Sequence, residues 1–244
     1  MQYRSHKLEC KGVFPKTCRI APFTYVTYEF DYTLNEDKGI IDLLLIEANR
    51  LAEQVFPGAA NDSLMERSKN RILANCIAGV FSEFCWKHFL NFKSEAVRST
   101  PFTSASNQID LEVIQNGKKI EVRSSFPRNG LEFAICHPTK EFDILGPYSN
   151  SYKPGEVTKD FFVRTLFVMQ NPTDIIQAVK SNHFTLYLTG GATHDMMFDD
   201  KYSKEKDFIP EDNFTTQQAS VYRVVPFHNA LDCAQIYHLI RQEI

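Results

Sequence analysis

Long apolar runs are missing from this chain of 244 residues. Its most apolar stretch, Ile40 to Ile46, is far shorter than the ~18 residues a membrane-spanning helix needs. The opening MQYRSHKLECKG has no apolar centre of the kind a secretory leader carries, so the sequence predicts a cytoplasmic protein with no membrane partner. C-x-x-C spacing is missing as well. The cysteines stand at 10, 18, 76, 85, 136 and 233, and His6, Cys10 and Cys18 fit no zinc-knuckle spacing. Cys76 and Cys85 fall within an apolar helical pattern and read as small core residues, and reduced thiols are the default expectation. No G-x-x-x-x-G-K-[ST] phosphate loop occurs, which argues against an ATP-driven enzyme. His194 has no evident nucleophile partner, so serine- or cysteine-type hydrolysis has little support. A dominant charge is lacking too: the net charge is −3. A basic groove therefore has to be local, and basic residues do gather early, with Arg4, Lys7, Lys11, Lys16 and Arg19 against Glu9 and Glu29.

What is present is ordinary globular material, 43% hydrophobic and 23% charged, enough for one domain over residues 1–244. Residues 1–34 read as irregular and then extended, with a strand from Phe23 to Tyr32. Helical spacing predicts helices over 36–56 and from Ser63 to Leu90. The second has a stripe of Leu73, Cys76, Ile77, Val80, Phe81 and Phe84. Strands are expected at Leu131–Cys136, Phe161–Met169, His183–Leu188 (broken by Gly190-Gly191) and Val221–Val225. Short helices are expected at Asn171–Lys180 and Ala230–Arg241, and residues 137–160 and 195–218 as polar connections. This order predicts an α/β (α+β) domain with a central mixed β-sheet flanked by helices.

The segment NQIDLEVIQNGKKIEVRSS, 107–125, is the most informative. Asn116-Gly117 is a strong turn signal, and a two-residue loop there pairs Val113 with Ile120, Glu112 with Glu121, Leu111 with Val122 and Asp110 with Arg123. Paired residues share a face. Leu111, Val113, Ile120 and Val122 then form a core face, and Asp110, Glu112, Glu121 and Arg123 a polar one. Glu112 opposite Glu121 is unfavourable unless a cation intervenes, either Mg²⁺ or a nearby Lys119 or Arg123. On the preceding helix, Glu83 falls at the margin of the apolar stripe, where it can reach the edge of the same site.

In their order, AGVFSEF with Glu83, QIDLEV with Asp110 and IEVRSS with Glu121, Val122 and Arg123 resemble the PD-(D/E)xK nuclease superfamily, which includes type II restriction endonucleases. The resemblance covers residues 67–125. It implies a restriction-endonuclease-like core at about 63–190, with residues 1–60 and 190–244 as elaborations for DNA contact or dimerisation. It implies Mg²⁺, with Mn²⁺ able to substitute, held by Asp110, Glu121, the Val122 carbonyl and Glu83. The implied activity is hydrolysis of double-stranded DNA by a homodimeric restriction enzyme. The family's lysine is Arg123 here; arginine stays protonated, so it can steady charge on a phosphate but cannot act as a base. Glu112 is a candidate auxiliary ligand. Arg128, Lys140, Lys153, Lys159 and Arg164 are candidate phosphate contacts, with Asn150, Tyr152, Thr193 and His194 as further DNA-facing positions. Two alternatives stay open: a catalytically weakened nucleic-acid-binding or scaffold protein, and a DNA-repair or RNA-directed nuclease.

Overall fold

A computed structural model of the protein describes residues 1–10, 22–55, 68–101, 108–137, 142–149, 157–208 and 220–242. The described strands form two sheets. The larger contains β1 (Gln2–Leu8), β2 (Phe23–Phe30), β3 (Val97–Ser99), β4 (Leu111–Val113), β5 (Lys119–Ser125), β7 (Phe161–Leu166) and β8 (Phe184–Thr193), in the order β1-β2-β8-β7-β5-β4-β3. The smaller runs β6 (Asp143–Ser149), β10 (Ser220–Pro226), β9 (Lys204–Phe208). β5 and β7 run parallel, and the other described pairings are antiparallel. The expected mixed sheet flanked by helices is therefore present.

Side-chain alternation along β7 explains how the layers stack. Phe161 and Val163 enter one apolar cluster with residues of α1 (Asn35–Gln54), α2 (Lys69–Leu90) and α6 (Cys233–Gln242). Phe162 and Leu166 enter a second cluster with α3 (Leu131–Cys136), α5 (His194–Phe198) and the smaller sheet. β7 is buried on both faces, which is why it reads as a nearly continuous apolar run. A 3-10 turn, Pro172–Asp174, leads into α4 (Ile175–Ala178), the short helix expected there.

α2 is the helix that presents the candidate glutamate. Ser68 caps it by accepting from the Arg71 amide at 3.2 Å. Ala74, Ile77, Ala78, Phe81, Cys85 and Trp86 are buried, so the core stripe lies slightly around the helix from the one expected. The first part of the expected helix, Ser63 onward to 67, lies outside the described residues.

Several expectations are corrected. Leu131–Cys136 is a helix, not a strand: Gly130, at φ 88°, turns the chain into it and Ala134, Ile135 and Cys136 face the second cluster. A six-residue apolar run carries too little periodicity to tell the two apart. The strand at 184 does not break at Gly190-Gly191 but continues to Thr193. These glycines admit close backbone approach: Gly191 and Leu231 exchange hydrogen bonds of 2.9 Å in both directions, and a Cβ on Gly190 would lie 2.1 Å from the Leu231 carbonyl oxygen. The polar connections contain β6, α5 and β9, and the irregular start contains β1. Reduced thiols were the default, yet Cys10 and Cys136 form a disulfide tying the segment after β1 to α3. Cys18 lies outside the described residues. Among the described residues no helix is long and apolar enough to cross a membrane.

Candidate active site

The hairpin forms, but with a longer loop. Val113 and Lys118 close it, the Val113 amide donating to the Lys118 carbonyl at 2.8 Å, and Gly117 takes φ 70° at its last position. Leu111 therefore pairs with Ile120 and Glu112 with Lys119, a register two residues from the expected one. Because side chains alternate with a period of two, that slip leaves the faces intact. Leu111, Val113 and Ile120 are fully buried in the first cluster and Val122 packs at its edge. The expected opposition of Glu112 and Glu121 does not occur. Glu112 lies between Lys119 and Arg98 of β3, with an Arg98–Glu112 ion pair of 2.6 Å, which takes it away from the other acids.

Continued by one residue, the ladder would set Asp110 opposite Glu121. Instead the chain bends at Asp110 and β4 separates from β5. Separation deprives the Val122 amide of a strand partner, and a buried amide must be satisfied. The Asp110 carboxylate does this, its Oδ2 accepting from the Val122 amide at 2.7 Å. Asp110 thus sits in the fork between two strands, beside Glu121. A short acidic side chain fits this position because it reaches the vacated donor while leaving its other oxygen directed outward, where the Gln108 amide stands 3.4 Å away.

Glu121 is almost completely buried and engaged by two cations. Arg123 meets its Oε1 at 2.6 Å and the Lys159 ammonium its Oε2 at 2.8 Å. Lys159 is itself buried and also donates to the Gln108 carbonyl. Its burial excludes the surface phosphate contact expected of it. It arrives at Glu121 because β7 lies beside β5 in parallel register, Glu121 abreast of Phe162.

Glu83 completes the group. It lines a cavity of about 540 Å³ together with Ser99, Gln108, Asp110, Val122 and Lys87. Burial pushes its carboxyl up to about 7, with the Ser99 hydroxyl and Lys87 pulling the other way. Asp110 is raised first by burial, then by the charge of Glu121, with the Val122 amide opposing. The charges of Glu121 and, more weakly, Glu83 thus disfavour ionisation of Asp110, and carboxylates grouped in this way are a donor set suited to a hard divalent cation. Among the described residues no three His, Cys, Asp or Glu side chains stand close enough to cage an ion alone. Mg²⁺ does not require that: one or two carboxylates with water and substrate phosphate suffice. Asp110 and Glu121 with the Val122 carbonyl fit this requirement.

The remaining candidates scatter. Arg164 stands abreast of Arg123 on β7, but it is fully buried and donates to the Ser125 hydroxyl, facing the second cluster rather than DNA. Arg128 is exposed beyond the end of β5. Thr193 caps α5, accepting from the Met196 amide at 3.3 Å, and His194 opens that helix with its amide on the Asp160 carbonyl at 2.8 Å. His194 therefore lies at the same end of the sheet as Lys159. Lys140, Asn150, Tyr152 and Lys153 lie outside the described residues.

Comparison with known proteins adds one relative. The uncharacterized protein MJECS01 of Methanocaldococcus jannaschii is 25% identical over an alignment of 259 residues, covering 90% of this chain and 87% of that one. No family model and no solved structure matches.

Proposed function

We propose that this chain is a Mg²⁺-dependent endonuclease that hydrolyses phosphodiester bonds of double-stranded DNA, acting as a homodimeric type II restriction enzyme. The observation that carries the proposal is the strand fork: Asp110 held on the Val122 amide beside Glu121, with Glu83 on the adjoining cavity and two cations at the same carboxylate. In this reading Asp110, Glu121 and the Val122 carbonyl would hold the ion, and Glu83 would accept from a water at the same site. A bound Mg²⁺, or Mn²⁺ in its place, acidifies a water and offsets charge building on the phosphate. The chain's own contribution is placement. The Val122 amide fixes Asp110, α2 brings Glu83 to the cavity, and Arg123, partly exposed, reaches the scissile phosphate as a permanent cation.

A second reading has a specific observation in its favour. Both oxygens of Glu121 are already ion-paired, as expected of a nuclease-like protein that binds nucleic acid without cutting it. Plasmid cleavage separates the two. With Mg²⁺, wild type is expected to nick and linearise supercoiled plasmid, and Asp110→Ala and Glu121→Ala are expected to be inactive. Cleavage retained in both variants sinks the site assignment, and no cleavage of any DNA favours the binding protein. Discrete fragments point to restriction and a smear to repair. Preferential cutting of RNA overturns the DNA assignment.

A further inference from the structure

The two cations on Glu121 differ in a way that assigns them different tasks. Lys159 is 3% exposed and anchored twice, on Glu121 and on the Gln108 carbonyl, two residues before Asp110. It therefore ties together the two segments that carry the acidic pair. Arg123, by contrast, is 24% exposed and meets Glu121 at 2.6 Å from the open side of the group. A buried ion pair is not a cheap way to stabilise a fold, since packed apolar side chains of similar volume do as well. One such buried pair, with a second cation on the same carboxylate, calls for a reason beyond stability.

Resting on the nuclease reading, we propose that Lys159 is the positioning residue of this site and that Arg123 is an exchangeable latch on Glu121, drawn off by a DNA phosphate. With no nucleic acid present, Arg123 competes with a divalent cation for Glu121. An arriving phosphodiester offers Arg123 a bidentate anionic partner in a more exposed position. Arg123 exchanges one anion for another, Glu121 Oε1 gives up the guanidinium, and Lys159 keeps the carboxylate in place. Cation and DNA then bind cooperatively, and by linkage each tightens the other by the same factor. The same movement brings the guanidinium to the phosphate whose charge it steadies, so latch and phosphate contact are two positions of one side chain.

The test is Mn²⁺ affinity, read by electron paramagnetic resonance, with and without short phosphorothioate duplexes of random sequence. The wild-type chain is expected to bind Mn²⁺ about tenfold more tightly with duplex than without, within the usual range of such couplings. Arg123→Gln should bind Mn²⁺ about as tightly without duplex as wild type does with it, and show little further gain. Lys159→Gln should lower kcat about 10- to 100-fold with little change in KM, and Lys159→Arg should restore part of it. Equal wild-type affinity with and without duplex overturns the proposal, as does Arg123→Gln binding Mn²⁺ more weakly than wild type in the absence of DNA. A KM effect alone in Lys159→Gln overturns the positioning role. The wild-type comparison needs no variant, so misfolding of a variant does not shield the proposal. Cooperative Mn²⁺ binding without cleavage of an ordinary duplex leaves the latch standing and overturns the nuclease reading instead.

Discussion

Replacing Glu83 by glutamine should stabilise the protein, and only above a defined pH. Burial raises this carboxyl from 4.5 to about 7, so the folded state resists its ionisation. Below pH 4.5 the group is neutral in both folded and unfolded chains, and Glu and Gln are equivalent there. Between 4.5 and 7 the unfolded chain loses the proton first, and folding becomes progressively less favourable than in the variant. Above 7 the full penalty applies. That displacement corresponds to about 3 kcal/mol. Residual solvent contact and an imperfectly bonded glutamine amide reduce the expected gain to about 2 kcal/mol. For a chain of this size that is a rise in Tm of about 4–8 °C. The assay is thermal unfolding followed by circular dichroism at a series of pH values from 4 to 9, with EDTA present and the disulfide oxidised in both proteins. The Tm difference should be near zero at the acid end and grow to a plateau above neutrality. A difference independent of pH, or a less stable Gln variant at pH 9, would refute the placement of Glu83 in a carboxylate group that costs the fold stability. Loss of cleavage alongside the gain would mark that cost as functional.

Other outcomes follow from the fold. Cys10→Ser removes a crosslink that spans 126 residues, and loop entropy puts its contribution at about 5 kcal/mol. The denaturant midpoint of the oxidised wild type should exceed that of the variant clearly, and the gap should vanish in reducing buffer; equal midpoints under oxidising conditions would refute the link. Gly190→Ala places a Cβ 2.1 Å from the Leu231 carbonyl at φ 87° and should cost 3 kcal/mol or more, roughly, in denaturant unfolding. Gly39→Ala, in α1 with open space around it, should instead stabilise by about 0.5–1 kcal/mol. Equal effects at the two glycines would contradict the close approach at Gly190.

The hairpin was legible because its information is redundant. Asn116-Gly117 placed the second side of the turn correctly and missed two further loop residues, Ile114 and Gln115, on the first, but strand alternation preserved the core face of Leu111, Val113 and Ile120. The same short segment also exposed Asp110 and Glu121. What the sequence could not show is what lies beside them. Lys159 reaches Glu121 only because β5 and β7 pair in parallel across a connection that includes α3 and β6. No local pattern encodes that pairing, so Lys159 reads as one more basic residue in a polar stretch. A signal was present all the same, since Lys159 stands two residues before the apolar run Phe161–Val163 that forms a buried central strand. The strand through Gly190-Gly191 was hidden for the opposite reason. Glycine there serves contact with Leu231, and composition alone does not distinguish that use from a break.

Crystals of the protein grown with Mn²⁺ and a short DNA duplex would test the central claim, that Asp110 and Glu121 hold a divalent cation, most directly. The account predicts an anomalous peak at about 2.1 Å from carboxylate oxygens of both residues, with Arg123 moved from Glu121 to a phosphate. An ion bound elsewhere, or none while Arg123 and Lys159 still occupy Glu121, would contradict it.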